Sequence, residues 1–216
     1  MRNSIAVIIT IASVLSAVVA SGGEQAIRLS EHVSLIPGPV NGVSIEKDNA
    51  QLVIYGDPAG TIESAEMVLF THSRRDVVWA GRGLVERGAT AVVPDGDVGN
   101  FTNVGQFWNE FTTRRFHDYA QQGTKILTEP LKIGRTVKAG DKFSWKSIPI
   151  EIINTPGYTR QAISYLIETD GVKYAFVGDI ICGNGKLFDL YSLQDAIAEA
   201  KIGGYHGWAG RMAILI

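Results

Sequence analysis

Val68-Leu69-Phe70-Thr71-His72-Ser73-Arg74-Arg75-Asp76-Val77 carries the pattern that decides the fold: an apolar run ends in a threonine, a histidine follows at once, and an aspartate stands four residues after it. The continuous apolar stretch Met67 to Phe70 predicts a buried strand, and the polar residues behind it predict a tight loop. Sites are commonly built on loops held by a rigid scaffold, and this spacing lets one loop aim several side chains at one point. Arg74 and Val77 occupy two positions where further histidines would complete a metal site.

Two later junctions have the same form. Ile152-Ile153-Asn154-Thr155-Pro156-Gly157-Tyr158-Thr159 is a strand running into a Pro-Gly turn that presents Tyr158. Tyr174-Ala175-Phe176-Val177-Gly178-Asp179 is a strand ending in Gly-Asp, which presents a carboxylate. Three strand ends thus deliver His72, Asp76, Tyr158 and Asp179 to loops.

Around these junctions, strands and helices alternate. Val33 to Pro37, Gly42 to Glu46 and Gln51 to Tyr55 are β-rich runs separated by turn residues such as Lys47-Asp48-Asn49. Val77 to Arg87 predicts a helix stopped by Gly88, with a strand at Ala89 to Val93. The aromatics of Asn100 to Gln122 predict an amphipathic helix or helix pair. Ile148 to Asn154, Ala162 to Glu168 and Val172 to Val177 return to strands, with Thr169-Asp170-Gly171 as a hairpin turn, and Leu190 to Lys201 predicts a helix. Two groups of strands with helices between and after them suit an α/β architecture of sheets covered by helices.

A chain of 216 residues, 45% hydrophobic and 19% charged, is sized for one substantial core. Its formal net charge of −2 gives no bulk attraction to nucleic acid or anionic lipid. Cys182 is the single cysteine, so no disulfide within the chain is expected. The N-terminus does speak about compartment. Arg2 precedes an apolar run from Ile5 to Ala20, and Val18 and Ala20 stand at the small-residue positions before Ser21. That pattern predicts a signal peptide over residues 1–20, cut after Ala20, and a secreted or periplasmic protein without stable membrane insertion.

The three junctions together resemble the metallo-β-lactamase superfamily, whose order is a strand into T-H-x-H-x-D-H, later T-P-G-H-T, then a strand into G-D, and a last histidine near the C-terminus. The matching segments are Thr71-His72-Ser73-Arg74-Arg75-Asp76-Val77, Thr155-Pro156-Gly157-Tyr158-Thr159 and Phe176-Val177-Gly178-Asp179, supported by Leu35 to Asn41 and Val53 to Gly60. The resemblance covers roughly Ile27 to Ala200. It implies an αββα sandwich over residues 27–216, with zinc held along one edge of the two sheets. It also implies His72 as a ligand of the first zinc, Asp76 of the second, and Asp179 as the bridge.

The departures weigh equally. Arg74, Val77 and Tyr158 replace three ligand histidines, and neither an always-charged guanidinium nor an alkyl side chain donates a lone pair to zinc. Tyr158 would have to ionise from a pKa near 10. Zinc sites normally use three or more protein ligands, so a normal dizinc site is not expected. The family's last strand and its histidine are expected to be missing, since the chain closes on Met212 to Ile216 soon after His206; the alternative is that His206 itself serves as the late ligand. Arg74 is expected to pair with Asp179 or Asp76 in place of metal. His32 and His117 are taken as surface or packing residues, and Cys182 as packed.

Three functions follow from this reading. One is a hydrolase in which a single weakly held metal at His72, Asp76 and Asp179 activates a water oriented by Asp76, against a small-molecule ester, lactam or similar bond. Another is a non-catalytic binding protein using the old cleft for a small polar ligand. The last is a decaying copy without activity.

Overall fold

Short β-rich runs cut by Gly, Pro and Asx turns build two sheets in the computed structural model of the chain, which describes residues 6–9, 25–38, 40–73, 75–106, 129–156, 159 and 161–178, with the backbone alone for 6–9, 75 and 76. Among the described residues, the larger sheet has seven strands in the order β2-β3-β4-β5-β6-β7-β8. These are β2 (Ile27–Arg28), β3 (Val33–Ile36), β4 (Gly42–Lys47), β5 (Ala50–Ile54), β6 (Met67–Leu69), β7 (Thr90–Pro94) and β8 (Ile133–Val137). The smaller has five, in the order β1-β12-β11-β10-β9, from β1 (Ala6–Ile9), β9 (Lys142–Trp145), β10 (Ile148–Asn154), β11 (Ile163–Thr169) and β12 (Val172–Phe176). One buried cluster takes side chains from both sheets and from α1 (Arg75–Glu86), as a sandwich requires.

Turn chemistry fixes the hairpins as the sequence predicts. Asp48 and Asn49 join β4 to β5 with φ of 51° and 56°, and Asp170 and Gly171 join β11 to β12 with φ of 56° and 73°. Both central residues lie in the left-handed region that two-residue hairpins need, where Asp, Asn and Gly are tolerated. β5, β6, β7 and β8 are parallel neighbours. The crossover from β6 to β7 is α1, which begins two residues earlier than the apolar pattern predicts and ends before Gly88, whose φ is 109°.

Arg82 anchors that helix from within. It is 9% exposed and donates to the carbonyls of Glu129 and Pro130 at 2.5 and 3.2 Å, ahead of β8. α2 (Val98–Thr102) starts the region predicted as an aromatic helix, whose remainder from residue 107 lies outside the described residues, as does the helix predicted over Leu190 to Lys201. β1 falls inside the predicted leader and pairs in parallel with β12, Ala6 opposite Lys173 and Ile9 opposite Phe176. Among the described residues, no helix is long and apolar enough to cross a membrane.

The far end of the sandwich is closed by a polar clasp that unites residues about 140 positions apart in sequence. Asp170, on the β11–β12 turn, accepts from Ser30 Oγ at 2.6 Å and from the His32 amide at 2.8 Å, and its other oxygen meets His32 Nδ1 at 2.5 Å. Tyr174 in turn donates to Ser30 Oγ at 2.7 Å. His32 is therefore a partner in a specific inter-sheet contact rather than a surface or packing residue. The turn backbone leaves Asp170 exposed, while its side chain keeps only 9% of its surface.

Partial burial pushes the Asp170 carboxyl up, but hydrogen bonds from Ser30 and His32 outweigh it and hold the group at about 2, against an ordinary 3.8. A carboxyl held low in the folded state stabilises fully above its unfolded value and loses that contribution as pH falls. Asp170→Asn is expected to cost about 1 kcal/mol at neutral pH, allowing for solvent screening at an exposed turn. The gap to wild type in urea midpoint should close between about pH 4 and pH 2. A gap that stays constant over that range would show that the carboxylate charge contributes nothing.

Candidate functional site

Topology brings the three junctions to one edge. β6 and β7 are parallel with Leu69 opposite Val92, so the residues beyond their carboxyl ends, Thr71-His72-Ser73 and Asp95-Gly96-Asp97, emerge side by side. In parallel sheets, ligands commonly gather beyond the carboxyl ends of the strands. In the smaller sheet, β11 is antiparallel to both neighbours, so β10 and β12 run in the same direction and release Thr155 and Gly178 at one edge.

Hydrogen bonds then join the two sheets at that edge. The Ile163 amide donates to the Thr71 carbonyl at 3.0 Å, and the Tyr165 hydroxyl donates to the Phe70 carbonyl at 3.0 Å. The Gly178 amide donates to the Tyr55 hydroxyl at 2.9 Å. Thr155 is closed onto the next strand by its amide, 3.1 Å from the Ala162 carbonyl, and by its hydroxyl, 2.7 Å from Ser164 Oγ.

His72 lies at the centre of these contacts. It is 1% exposed, and its Nδ1 sits 2.8 Å from Thr71 Oγ1. With Nδ1 engaged there, Nε2 is the ring nitrogen that a metal would take. Gly178 presses on the same ring: a Cβ at that position would fall 2.8 Å from Thr71 Oγ1 and 3.1 Å from His72 Nδ1. Its φ of 63° is also one that residues with a side chain rarely adopt. The glycine of the predicted Gly-Asp end is thus required twice, by backbone conformation and by closeness to His72.

Val77 is fully buried within the core cluster. A position that holds a ligand histidine in the resembled family is here part of the packing. Asp76 is placed by its backbone in the first turn of α1. Its side chain lies outside the described residues, as do Arg74, Tyr158, Asp179, Cys182, His117 and His206. The expected Arg74 pairing therefore falls outside them too.

Asp97 is a site residue that the sequence reading missed. It is 2% exposed, accepts from Thr159 Oγ1 at 2.7 Å and from Asn100 Nδ2 at 3.4 Å, and takes a further bond from the Ser73 amide. Burial raises its carboxyl, while Thr159, the nearby His72 and the Ser73 amide pull it back in part. Asn100 also donates to Ser73 Oγ at 3.2 Å.

Of the donors that the resemblance implies, the described residues hold one, and a buried imidazole suits a metal. His72 is a buried imidazole, Val77 is part of the core, and the Asp97 oxygens accept from Thr159 and Asn100. Among the described residues, the His/carboxylate group close enough to share a cation is Glu31, His32 and Asp170, with ligand atoms within 4.8 Å of one another. It belongs to the clasp at the other end of β12, roughly 20 Å away at ~3.3 Å of strand per residue. An open pocket of about 460 Å³ beside His32 and the β4–β5 turn lies at that end as well.

Gly178→Ala is expected to cost about 1–3 kcal/mol, because the left-handed backbone and the clash with Thr71 and His72 add. Thermal unfolding checks the cost, and displaced His72 ring signals in the NMR spectrum check its location.

Comparison with known proteins gives one consistent fold. No family model matches the chain. Hydroxyacylglutathione hydrolases of Brucella ovis and Brucella abortus are 41% identical to it over 74 residues, which is 31% of this chain and 28% of those relatives' length. A metallo-β-lactamase from Elizabethkingia meningoseptica superposes with a TM-score of 0.60 at 14% identity, covering 89% of this chain and 72% of that one. A class B3 di-zinc metallo-β-lactamase from an Alaskan soil metagenome gives 0.60 at 16% identity, with 93% and 78% covered. The native enzyme of Legionella gormanii gives 0.57 at 15%, with 89% and 75% covered.

Proposed function

The chain has the metallo-β-lactamase fold, and on that premise we propose that it is an exported hydrolase whose metal site is reduced to a single weakly held zinc. The observation that carries this reading is His72: a buried imidazole, fixed through Nδ1 by Thr71 and backed by Gly178, at the shared edge of two sheets. Zinc, when bound, would supply a water of lowered pKa and a polarised carbonyl. Asp76 and Asp179 complete the ligand set, and Asp76 orients the attacking water. An acyl bond, such as that of a thioester, an ester or a lactam, suits this chemistry.

A second reading is favoured by one observation. Val77 has moved from the ligand set into the core, which suits a cleft kept for binding a small polar molecule rather than for hydrolysis. Elemental analysis with a hydrolysis assay separates the two. The hydrolase should carry about one zinc per chain, and lose both the metal and the cleavage of a thioester or chromogenic lactam in His72→Ala. Wild-type protein purified with zinc present, yet free of metal and inactive, would rule out the hydrolase. A melting temperature that rises with a small polar ligand would then identify the binding protein.

Export is the remaining part of the proposal. N-terminal sequencing of protein recovered outside the cytoplasm should begin at Ser21, and a chain beginning at Met1 would overturn it. Cleavage there removes β1 and leaves β12 without its parallel neighbour.

A further inference from the structure

We infer that Asp97 is a positioning residue for His72, acting by clamping the loop that carries His72 to the loop that follows β10. The inference rests on the single-zinc reading for its metal readout but not for its geometry.

The argument starts from topology. β6 and β7 are parallel neighbours, so the Asp95-Gly96-Asp97 turn after β7 must lie beside the Thr71-His72-Ser73 corner after β6. From that place, Asp97 reaches two loops. One set of contacts runs to the His72 loop: the Ser73 amide donates to its carboxylate, and Asn100 links the same carboxylate to Ser73 Oγ at 3.4 and 3.2 Å. The other is the 2.7 Å bond from Thr159 Oγ1, in the loop between β10 and β11. These loops come from different sheets, so the carboxylate is a cross-sheet tie next to the site.

A carboxylate 2% exposed is costly unless something requires it there. An apolar residue would fill the space but could not accept from the Ser73 amide and the Thr159 hydroxyl together. Thr159 and Asn100 each engage one of its oxygens, so the carboxylate is held by the two loops it ties. It fixes the backbone next to His72, and its charge lies close enough to act on the imidazole. Outer partners of this kind, acting on a ligand through its loop, commonly change metal affinity by about ten- to a hundredfold.

The test uses the full chain and two readouts, zinc affinity and the His72 ring signals in a long-range proton–nitrogen NMR spectrum. Asp97→Asn keeps the shape and turns one acceptor into a donor, while Thr159→Val removes one hydroxyl. Both should shift the His72 ring signals and weaken zinc binding by about tenfold or more. Thr159→Ser, which retains the hydroxyl, should restore both. Ser30→Ala, in the distant clasp, should lower the melting temperature without moving the His72 signals.

Unchanged ring signals and zinc affinity in Thr159→Val would overturn the inference, and this variant decides alone if Asp97→Asn does not fold. If wild-type protein takes up no zinc, the hydrolase reading fails, and the ring signals still decide whether Asp97 positions His72.

Discussion

Two buried tyrosine hydroxyls set the constraint on which the site depends. Tyr55, at the end of β5, and Tyr165, within β11, are both fully buried, so each hydroxyl needs a partner inside the protein. Tyr165 donates across the sandwich to the Phe70 carbonyl, the last backbone group before Thr71 and His72. Tyr55 accepts from the Gly178 amide, the group before Asp179. Each tyrosine thus belongs to one sheet and holds the loop leaving the other. Burial drives the Tyr165 phenol above its ordinary range, which favours the protonated, donating form. The His72 loop and the Gly178 loop cannot separate without leaving a polar group unpaired in the core, at a cost of about 1–3 kcal/mol each.

This constraint explains which parts of the molecule were legible in sequence. The junctions at His72, Thr155 and Gly178 are local: an apolar run feeding a loop is visible within ten residues, and their shared edge follows from strand direction. β8 and β9 escaped notice because they are edge strands with mostly unburied side chains, and an edge strand lacks the apolar alternation of an interior one. Lys146 and Ser147, at φ of 46° and 62°, form the β9–β10 turn without the Asn-Gly chemistry that would have signalled it.

Asp97 and His32 were illegible for a different reason. Asp95-Gly96-Asp97 has the composition of a solvated turn, and nothing local says that its second aspartate is buried. Its burial follows from Ser73 and Thr159, which lie 62 residues or less away in sequence but on other elements. The clasp at Asp170 pairs positions 138 and 140 residues apart. Polar residues acquire their meaning from tertiary partners, whereas apolar periodicity acquires its meaning from the element that carries it.

Val77 shows why reversing the departures from the family pattern is not a matter of restoring letters. The side chain is fully buried in the core cluster that α1 shares with the two sheets. An imidazole placed there would lose its hydration, and an unpaired polar group in such surroundings costs several times what a surface group does. It would have to turn out of the core, leaving a void behind it, or the first turn of α1 would have to rotate. Either change acts on Asp76, the neighbouring residue on that turn. The ligand set and the packing of α1 are therefore one structural problem. On the single-ion reading proposed above, a histidine at position 77 could join the ligand set only if that core were rebuilt.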